Sequence, residues 1–273
     1  MYEKFYGFKE KPFNITPDPK FFFPSSKHSE ALDSLIYAIN ERKGFVAITG
    51  EIGAGKTTVC RALLNKLDPN TKTALITNTY VNAKELLMSI LDDFGVDYKP
   101  ASKARLLSRL NEFLVEQLSQ NMNVVLIIDE AQNLTPSVLE EIRMISNLET
   151  ETEKLIQIIL MGQPQLKKKL QLESLTQLRQ RIAVHYHIYP LSKEEMVGYI
   201  RHRLTIASNN GFDFFTDEAL GLIYGFSKGV PRLVNLICDS ALLSGYVYEA
   251  KQIDAKIMEE TIKEAPFSTV QSM

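Results

Sequence analysis

Residues 50–57 read GEIGAGKT, and they directly follow the apolar run FVAIT at 45–49. The stretch fits the pattern G-x-x-x-x-G-K-[ST], and helical spacing continues after it over 55–67. A strand before the pattern and a helix after it are the context in which such a loop binds phosphate. The stretch therefore predicts a phosphate-binding loop within an α/β fold.

Each residue type in this loop has a chemical task. The glycines let backbone N–H groups turn toward an anionic phosphate, and the following helix directs its positive end to the same place. We expect Lys56 to reach the β- and γ-phosphates and the Thr57 hydroxyl to bind Mg²⁺, with the adjacent Thr58 the less favoured ligand. The nucleotide-binding residues predicted from the loop are Gly50, Glu51, Ile52, Gly53, Ala54, Gly55, Lys56, Thr57 and Thr58.

Outward from the loop, short apolar runs alternate with longer helical patterns up to about residue 190. The predicted strands are 45–49, 73–77, 124–128, 155–161 and 184–188. The helical patterns are 28–41, 55–67, 82–94, 101–120, 135–148 and 164–178. Continuous apolar strands separated by helices predict a five-stranded parallel sheet with helices on both faces.

After Pro190 the strand signals stop. The remaining patterns, at 192–208, 216–226, 230–248 and 254–264, are helical. We therefore predict an N-terminal arm plus an α/β nucleotide-binding domain over 1–190, and a small all-helical lid domain with a short tail over 191–273. The first ~25 residues are rich in proline and aromatic residues, which predicts an extended arm packed on the domain.

An acidic pair, Asp129 and Glu130, follows the apolar strand at 124–128. A carboxylate at the end of a buried strand costs free energy unless it is solvated or faces a cation. We expect Asp129 to hold Mg²⁺ and Glu130 to orient or deprotonate the attacking water. Because a small-molecule kinase has no need of a water-activating glutamate, the pair favours ATP hydrolysis.

Four further polar residues are candidates for contacts with phosphate. Gln163 follows the strand at 155–161, which places an amide beside the expected γ-phosphate. Arg179 and Arg181 precede the last strand and are well placed to reach the nucleotide of a neighbouring subunit. Arg232 lies in the first turn of a predicted helix, where a cation is unfavourable unless it contacts an anion.

The composition excludes several classes of protein. The chain has 273 residues, of which 45% are hydrophobic, and a formal net charge of -2, values typical of a soluble globular chain. A near-neutral charge gives no general reason to hold nucleic acid or an anionic membrane. The two cysteines are too few for a disulfide framework, and no apolar run approaches the ~20 residues that span a bilayer. We expect a cytoplasmic protein.

The motifs together resemble an AAA+ ATPase, through the phosphate loop, the acidic pair, the pre-strand arginines and GVPR at 229–232. Other segments resemble, more narrowly, the ExeA/GspA-like family of AAA+ ATPases. These segments are YGF at 6–8, KPF at 11–13, TPDP at 16–19, HSEAL at 28–32, GQPQL at 162–166, LRQR at 178–181 and GVPRLVN at 229–235. The N-terminal segments carry the specific part of this resemblance.

The resemblance implies a sheet in AAA+ strand order, a nucleotide held between the α/β domain and the lid, and self-association into a ring or filament. It implies that Gln163 is sensor 1, that Arg232 is sensor 2, and that Arg179 or Arg181 is the arginine finger. The region around His28 contacts the adenine in AAA+ proteins, so the resemblance also implies that role for His28.

GspA-like proteins use ATP to help assemble the secretin of type II secretion, together with a GspB-type inner-membrane partner. Their longer relatives continue into a transmembrane helix and a periplasmic peptidoglycan-binding domain. This sequence stops at Met273, so we expect either a truncated chain or a short, purely cytosolic relative, such as those linked to pilus or exopolysaccharide systems. A partner or a missing C-terminal segment would make the protein peripheral to the inner membrane.

The alternative is a DNA-binding AAA+ ATPase that regulates transposition, because TnsC/MuB-type ATPases look similar. The run KKK at 167–169, with Arg179 and Arg181, offers a local basic cluster. DNA binding is not favoured, since the sequence lacks the strong basic stripe expected of it. A third and weaker interpretation is a clamp-loader or initiator ATPase, although no zinc spacing or winged-helix extension follows residue 264.

Overall fold

A five-stranded parallel sheet forms the centre of one of two units into which the chain folds. The computed structural model describes residues 1–16, 18–99, 101–149, 153–208 and 213–265. One unit, here the sheet unit, comprises Ser29–Ile52 and Val59–Ile188. The other, here the helical unit, comprises Met1–His28, Gly53–Thr58 and Tyr189–Met273. The predicted C-terminal tail, from residue 266 onward, lies outside the described residues.

The strands are β1 Phe45–Gly50, β2 Thr71–Ile76, β3 Asn123–Ile128, β4 Gln157–Gly162 and β5 Ile182–Ile188. They lie in the order β2-β3-β4-β1-β5, and every neighbouring pair is parallel. The predicted α/β class with a five-stranded parallel sheet is confirmed.

The helices among the described residues are, in chain order, α1 Tyr2–Tyr6, α2 Ser26–Asn40, α3 Lys56–Leu64, α4 Ala83–Asp93, α5 Lys103–Ser119, α6 Pro136–Ile145, α7 Pro164–Leu170, α8 Thr176–Arg181, α9 Lys193–Ala207, α10 Asp217–Ser227, α11 Pro231–Val247 and α12 Ala255–Glu264. Short 3₁₀ turns add Pro19–Phe21, Ala131–Asn133 and Glu173–Leu175. Several helices start where a side chain accepts from the first-turn N–H groups, as Asn82 does for α4 and Thr135 for α6.

The sheet unit has its core on both faces of the sheet. Successive side chains of a strand point to opposite faces, and both sets are buried in β3, with Val125 and Ile127 on one face and Leu126 and Ile128 on the other. A strand buried on both faces reads as an unbroken apolar run, which is why VVLII was recognisable as a strand in the sequence.

The helical unit has a separate core that includes the N-terminal arm. Tyr2, Tyr6, Phe8 and Phe13 are buried in one cluster with residues of α9–α12. The Tyr2 hydroxyl donates to Asp239, and the Tyr6 hydroxyl donates to the Ala250 carbonyl at 2.9 Å. The arm is therefore an integral part of this unit.

One buried arginine fixes the middle of the arm. Arg203 of α9 is 5% exposed and donates through Nε to the Pro12 carbonyl at 2.6 Å and through Nη2 to the Asn14 carbonyl at 3.1 Å. Its third bond, from Nη1, goes to the Tyr199 hydroxyl at 2.7 Å. These bonds satisfy a buried charge and tie an irregular segment to a helix.

Two local expectations need correction. The arm is not extended throughout, because α1 forms over Tyr2–Tyr6, before the first proline, and ends at Gly7 in a left-handed conformation. The single helix expected over 164–178 is broken into α7, a 3₁₀ turn and α8. The domain boundary at residue 190 stays a prediction. The C-terminal segment of the helical unit starts at Tyr189, and the same unit also contains residues 1–28 and 53–58. None of the described helices is both long and apolar enough to cross a bilayer.

Candidate functional site

Three neighbouring strands end at one edge of the sheet, and the predicted site residues follow directly after these strands in the chain. The order β3-β4-β1 is parallel, with Ile128 opposite Leu160 and Thr49 opposite Gly162. Gly50 is the last residue of β1 and begins the predicted phosphate loop. Asp129 follows β3 and Gln163 follows β4. In parallel α/β sheets the carboxyl edge is where ligands bind.

The predicted phosphate loop has the backbone expected of a tight anion-binding turn. Glu51 and Ile52 are exposed, while Lys56 is 6% exposed and begins α3, with Thr57 and Thr58 half-buried behind it. Gly53 and Gly55 have φ of +78° and +98°. The loop thus alternates left-handed glycines and ends on a helix N-terminus, the arrangement in which backbone N–H groups face an anion.

Gly53 and Ala54 of this loop belong to the helical unit and are hydrogen-bonded to other residues of that unit. The Ala54 carbonyl lies 2.8 Å from His28 Nε2, and the Gly53 carbonyl accepts from the Arg232 N–H at 3.2 Å. Arg232 is the second residue of α11, as the sequence predicted, and its side chain is exposed. We call His28, Gly53, Ala54, Gly55 and Arg232 the loop cluster.

The tautomer of His28 follows from its partners. A carbonyl oxygen only accepts, so Nε2 carries the hydrogen and donates to Ala54. Nδ1 of the neutral ring then accepts from the Ser25 hydroxyl, 2.7 Å away. Burial lowers the pKa of His28 from its ordinary value, although the bond to Ala54 and the charge of Glu195 oppose the shift. The ring is therefore neutral at pH 7.

The acidic pair stands at the end of β3 with a constrained backbone. Asp129 is 6% exposed, and its N–H donates to the Ile76 carbonyl at 2.9 Å, which extends the pairing with β2. Glu130 has φ +52°, a left-handed conformation that a side chain disfavours. Its N–H donates to Asp129 Oδ1 at 2.9 Å, and its carbonyl accepts from the Thr79 hydroxyl at 3.1 Å. Strain of this kind is concentrated at functional positions.

Two glutamine side chains hold the Glu130 carboxylate. Gln163 Nε2 donates to Glu130 Oε2 at 3.1 Å, and Gln132 Nε2 donates to the same oxygen. Gln132 Oε1 accepts from the Gln163 N–H at 3.0 Å, so the orientation of the Gln132 amide is fixed by its partners. We call Glu130, Gln132 and Gln163 the acid–amide cluster. The structure thus brings together two residues that the sequence predicted separately.

Lys169 supports this cluster from α7. Its ammonium donates to the Gln132 carbonyl and, at 2.6 Å, to the Leu134 carbonyl. One lysine of the basic run is therefore committed to the fold, while Lys167 and Lys168 are exposed.

The two candidate finger arginines differ in their surroundings. Arg181, the last residue of α8, is half-buried and donates from Nη1 to the Ser146 hydroxyl at 3.3 Å. Arg179 is exposed on the same helix. An exposed arginine is the one available to another molecule.

The sequence did not indicate Gln132 or Ser25. The only sequence feature that could have indicated Gln132 is its position two residues after the acidic pair. Its contact with Gln163 depends on where β4 ends, which the sequence around Gln132 does not show. Ser25 directly precedes α2 and reads as an ordinary helix-start residue. Within the described part of the chain, no three His, Cys, Asp or Glu side chains are grouped so as to hold a metal.

The phosphate loop, the acidic pair and Gln163 lie within a stretch that matches a known family. A family model described as an AAA domain matches residues 39–170. The chain is 42% identical over 254 residues to general secretion pathway protein A of Aeromonas hydrophila, which covers 93% of this chain and 46% of that protein. The chain therefore spans less than half the length of this relative.

Solved structures with the same fold include the ORC2 protein of Aeropyrum pernix in its ADPNP–ADP complexes. That match has a TM-score of 0.71 and 15% identity, and covers 97% of this chain and 75% of the other. The RuvB Holliday junction branch migration motor of Thermotoga maritima matches with a TM-score of 0.60 and 18% identity, over 89% of this chain and 70% of the other. At such identities the likeness is one of fold.

Proposed function

We propose that the chain is an AAA+ ATPase of the general secretion pathway protein A type, which hydrolyses ATP to drive assembly of a cell-envelope complex. The observation that carries the proposal is the sheet edge at which β1, β3 and β4 end. The phosphate loop leaves β1 there, and the acidic pair and Gln163 follow the other two strands. Phosphate-loop enzymes use these groups for hydrolysis.

In this proposal the loop N–H groups from Gly50 to Thr58 bind the phosphates, and Lys56 contacts the β- and γ-phosphate oxygens. The Thr57 hydroxyl and the Asp129 carboxylate hold Mg²⁺, because both offer the hard oxygen atoms that this ion prefers. Mg²⁺, when bound, offsets the negative charge of the phosphate oxygens. Arg232 contacts the γ-phosphate as the second sensor.

Glu130 orients and deprotonates the attacking water. Gln163 donates to the Glu130 carboxylate when no nucleotide is bound, and to the γ-phosphate when ATP is bound. The bond between Gln163 and Glu130 supports this assignment, because it makes the position of the base depend on the residue that senses phosphate.

A neighbouring subunit completes the site with an arginine. We assign the finger to Arg179, since its exposure leaves it available while Arg181 is bonded to Ser146. An arginine finger is worth ~10³–10⁵ in rate. The monomer is therefore a weak enzyme, and turnover rises when subunits associate into a ring or filament.

The client is a secretin-type assembly system, reached through a GspB-type partner on the cytoplasmic side of the inner membrane. The likeness to general secretion pathway protein A supports this client over others. The alternative, DNA binding, is favoured by one observation, the exposure of Lys167, Lys168 and Arg179 in the sheet unit.

The test separates binding from hydrolysis. Lys56→Ala removes the phosphate contact and should abolish nucleotide binding. Glu130→Gln still accepts hydrogen bonds through its amide oxygen, so it should bind ATP normally and lose at least ~10² in turnover. Normal hydrolysis by Glu130→Gln would contradict the role of the base.

Mixing inactive variants tests the finger. Glu130→Gln and Arg179→Ala are each expected to be inactive, but a mixture places an intact Arg179 beside an intact Glu130 and should recover activity. Arg181→Ala is the matched control; it keeps both Arg179 and Glu130 and should hydrolyse ATP without a second variant. Turnover that rises with protein concentration and ignores double-stranded DNA supports the secretion-type client, whereas strong stimulation by DNA supports the alternative.

A further inference from the structure

Two successive carbonyl groups of the phosphate loop accept hydrogen bonds from other segments of the helical unit, to which both residues belong. The Gly53 carbonyl accepts from the Arg232 N–H, and the Ala54 carbonyl accepts from His28 Nε2–H. The chain contains no cis peptide among its described residues, and in a trans peptide the C=O and the following N–H point in opposite directions. The two bonds therefore aim the N–H groups of Ala54 and Gly55 away from His28 and Arg232.

The His28 ring lies in tight contact with the loop. A Cβ added at Gly55 would lie 2.7 Å from His28 Nε2, and Gly55 has φ +98°, so the position requires glycine on two grounds. The ring is 5% exposed and Ser25 is 3% exposed. Both ring nitrogens already have partners, Ala54 and Ser25. This leaves His28 no nitrogen with which to bind an adenine.

We propose that His28 is a positioning residue, which holds the Ala54 peptide so that the Gly55 N–H faces the bound phosphate. The inference rests on the proposed function and replaces the expected adenine contact of His28. A loop already fixed in the binding conformation does not lose affinity to rearrangement. The N-terminal arm, which ends at Ser25 and His28, is then part of the nucleotide-binding machinery.

Two substitutions separate the two bonds of the ring. His28→Gln places an amide N–H where Nε2 stands, so it keeps the bond to Ala54 and loses the bond to Ser25. His28→Asn places its amide where Nδ1 stands, so it keeps the bond to Ser25 and loses the bond to Ala54. Each variant loses one buried hydrogen bond, which makes the two matched in stability.

The measurement is the affinity for a fluorescent ADP by equilibrium titration, with thermal unfolding of each nucleotide-free variant as the folding control. We expect His28→Asn to weaken ADP binding by about tenfold and His28→Gln to remain within about threefold of the wild type. If His28→Asn does not fold, His28→Ala replaces it, because it also loses the bond to Ala54, and Ser25→Ala, which keeps that bond, becomes its control. Equal ADP binding by His28→Ala and Ser25→Ala overturns the proposal.

Lys56→Ala makes the two levels of the proposal distinguishable. If the wild type binds ADP, Lys56→Ala does not, and His28→Asn binds like the wild type, the role of His28 is refuted and the proposed function stands. Equal weakening by His28→Asn and His28→Gln also refutes the role of His28, since it would indicate lost packing. If the wild type and Lys56→Ala bind ADP alike, the proposed function fails and the inference fails with it.

Discussion

Glu130 illustrates how much of the site depends on single side chains. Its left-handed backbone is held by Asp129 and Thr79, and its carboxylate is held by Gln132 and Gln163. The hydrogen bonds from these partners fix the rotamer of the Glu130 side chain. The carboxylate is oriented before any substrate arrives, which is the preorganisation that general bases need.

Gln132→Glu should damage catalysis without damaging binding. The new carboxylate still accepts from the Gln163 N–H but no longer donates to Glu130, and two close carboxylates raise the pKa of one of them. We expect kcat to fall about tenfold or more at pH 7 with an unchanged Kd for ATP. The acidic limb of the kcat–pH profile should move to higher pH.

The matched control is Gln165→Glu, which adds the same charge at an exposed position of α7. It should leave both the rate and the pH profile as they are. A Gln132→Glu variant with wild-type kcat at every pH would show that Gln132 does not act on Glu130.

Residues whose role follows from spacing were predictable from the sequence, and residues whose role follows from packing were not. The loop residues and the acidic pair are next to apolar strands, so their place at a strand end could be inferred. Gln132 gains its role because β4 lies beside β3 and delivers Gln163 to it. The bond from His28 to Ala54 joins segments 26 residues apart, and no local pattern announces it.

At the scale of elements, the strands and most helices follow the predicted pattern because burial on two faces and helical spacing leave clear periodicities. The prediction of an extended arm was wrong for its first residues. Proline disfavours a helix only at and near its own position, so Tyr2–Tyr6, which precede the first proline, can form α1. The break between α7 and α8 has no glycine or proline to mark it; it allows Leu170, Leu175 and Leu178 all to be buried.

One carboxylate serves the starts of two helices in the helical unit. Glu195 Oε1 accepts from the Ser26 N–H and hydroxyl, at 3.1 Å and 2.8 Å, where α2 begins. Glu195 Oε2 accepts from the Ser192 N–H at 3.0 Å, as part of the capping box of α9. Burial alone would raise the pKa of Glu195, but these hydrogen bonds outweigh it and the pKa is lowered.

Glu195→Ala should therefore cost more than the loss of an ordinary first-turn acid. We expect the free energy of unfolding to fall by about 1–2 kcal/mol, since N–H groups at two helix starts lose their acceptor and a favourable charge. Urea titration followed by circular dichroism measures the change. Glu218→Ala, at an exposed acid in the first turn of α10, is the control and should cost only a few tenths of a kcal/mol. Equal costs would contradict the double role of Glu195.

At the scale of the whole molecule, three histidines with lowered pKa values make stability depend on pH. Burial lowers the pKa values of His28, His185 and His202. The unfolded chain binds these protons near pH ~6.5, more readily than the folded protein does. The contribution of these histidines to the free energy of unfolding is therefore fully present above about pH 6.5 and is lost as the pH falls below that value.

We expect the urea midpoint of unfolding to fall between pH 7.5 and pH 5.5 at constant ionic strength, and His28→Gln to fall less steeply than the wild type. Glu195 does not contribute in this range, because its pKa lies below the ordinary value of about 4.5. Identical midpoints at the two pH values would contradict this account of the three histidines.

The arm that completes the helical core also has a consequence for synthesis. Tyr2 and its partner Asp239 are 237 residues apart, which at ~5–20 residues per second is a wait of roughly 10 to 50 s on the ribosome. For most of that time Tyr2, Tyr6, Phe8 and Phe13 lack the C-terminal residues against which they pack in the folded protein. We therefore expect the nascent chain to expose an aromatic segment that chaperones can bind until synthesis is complete.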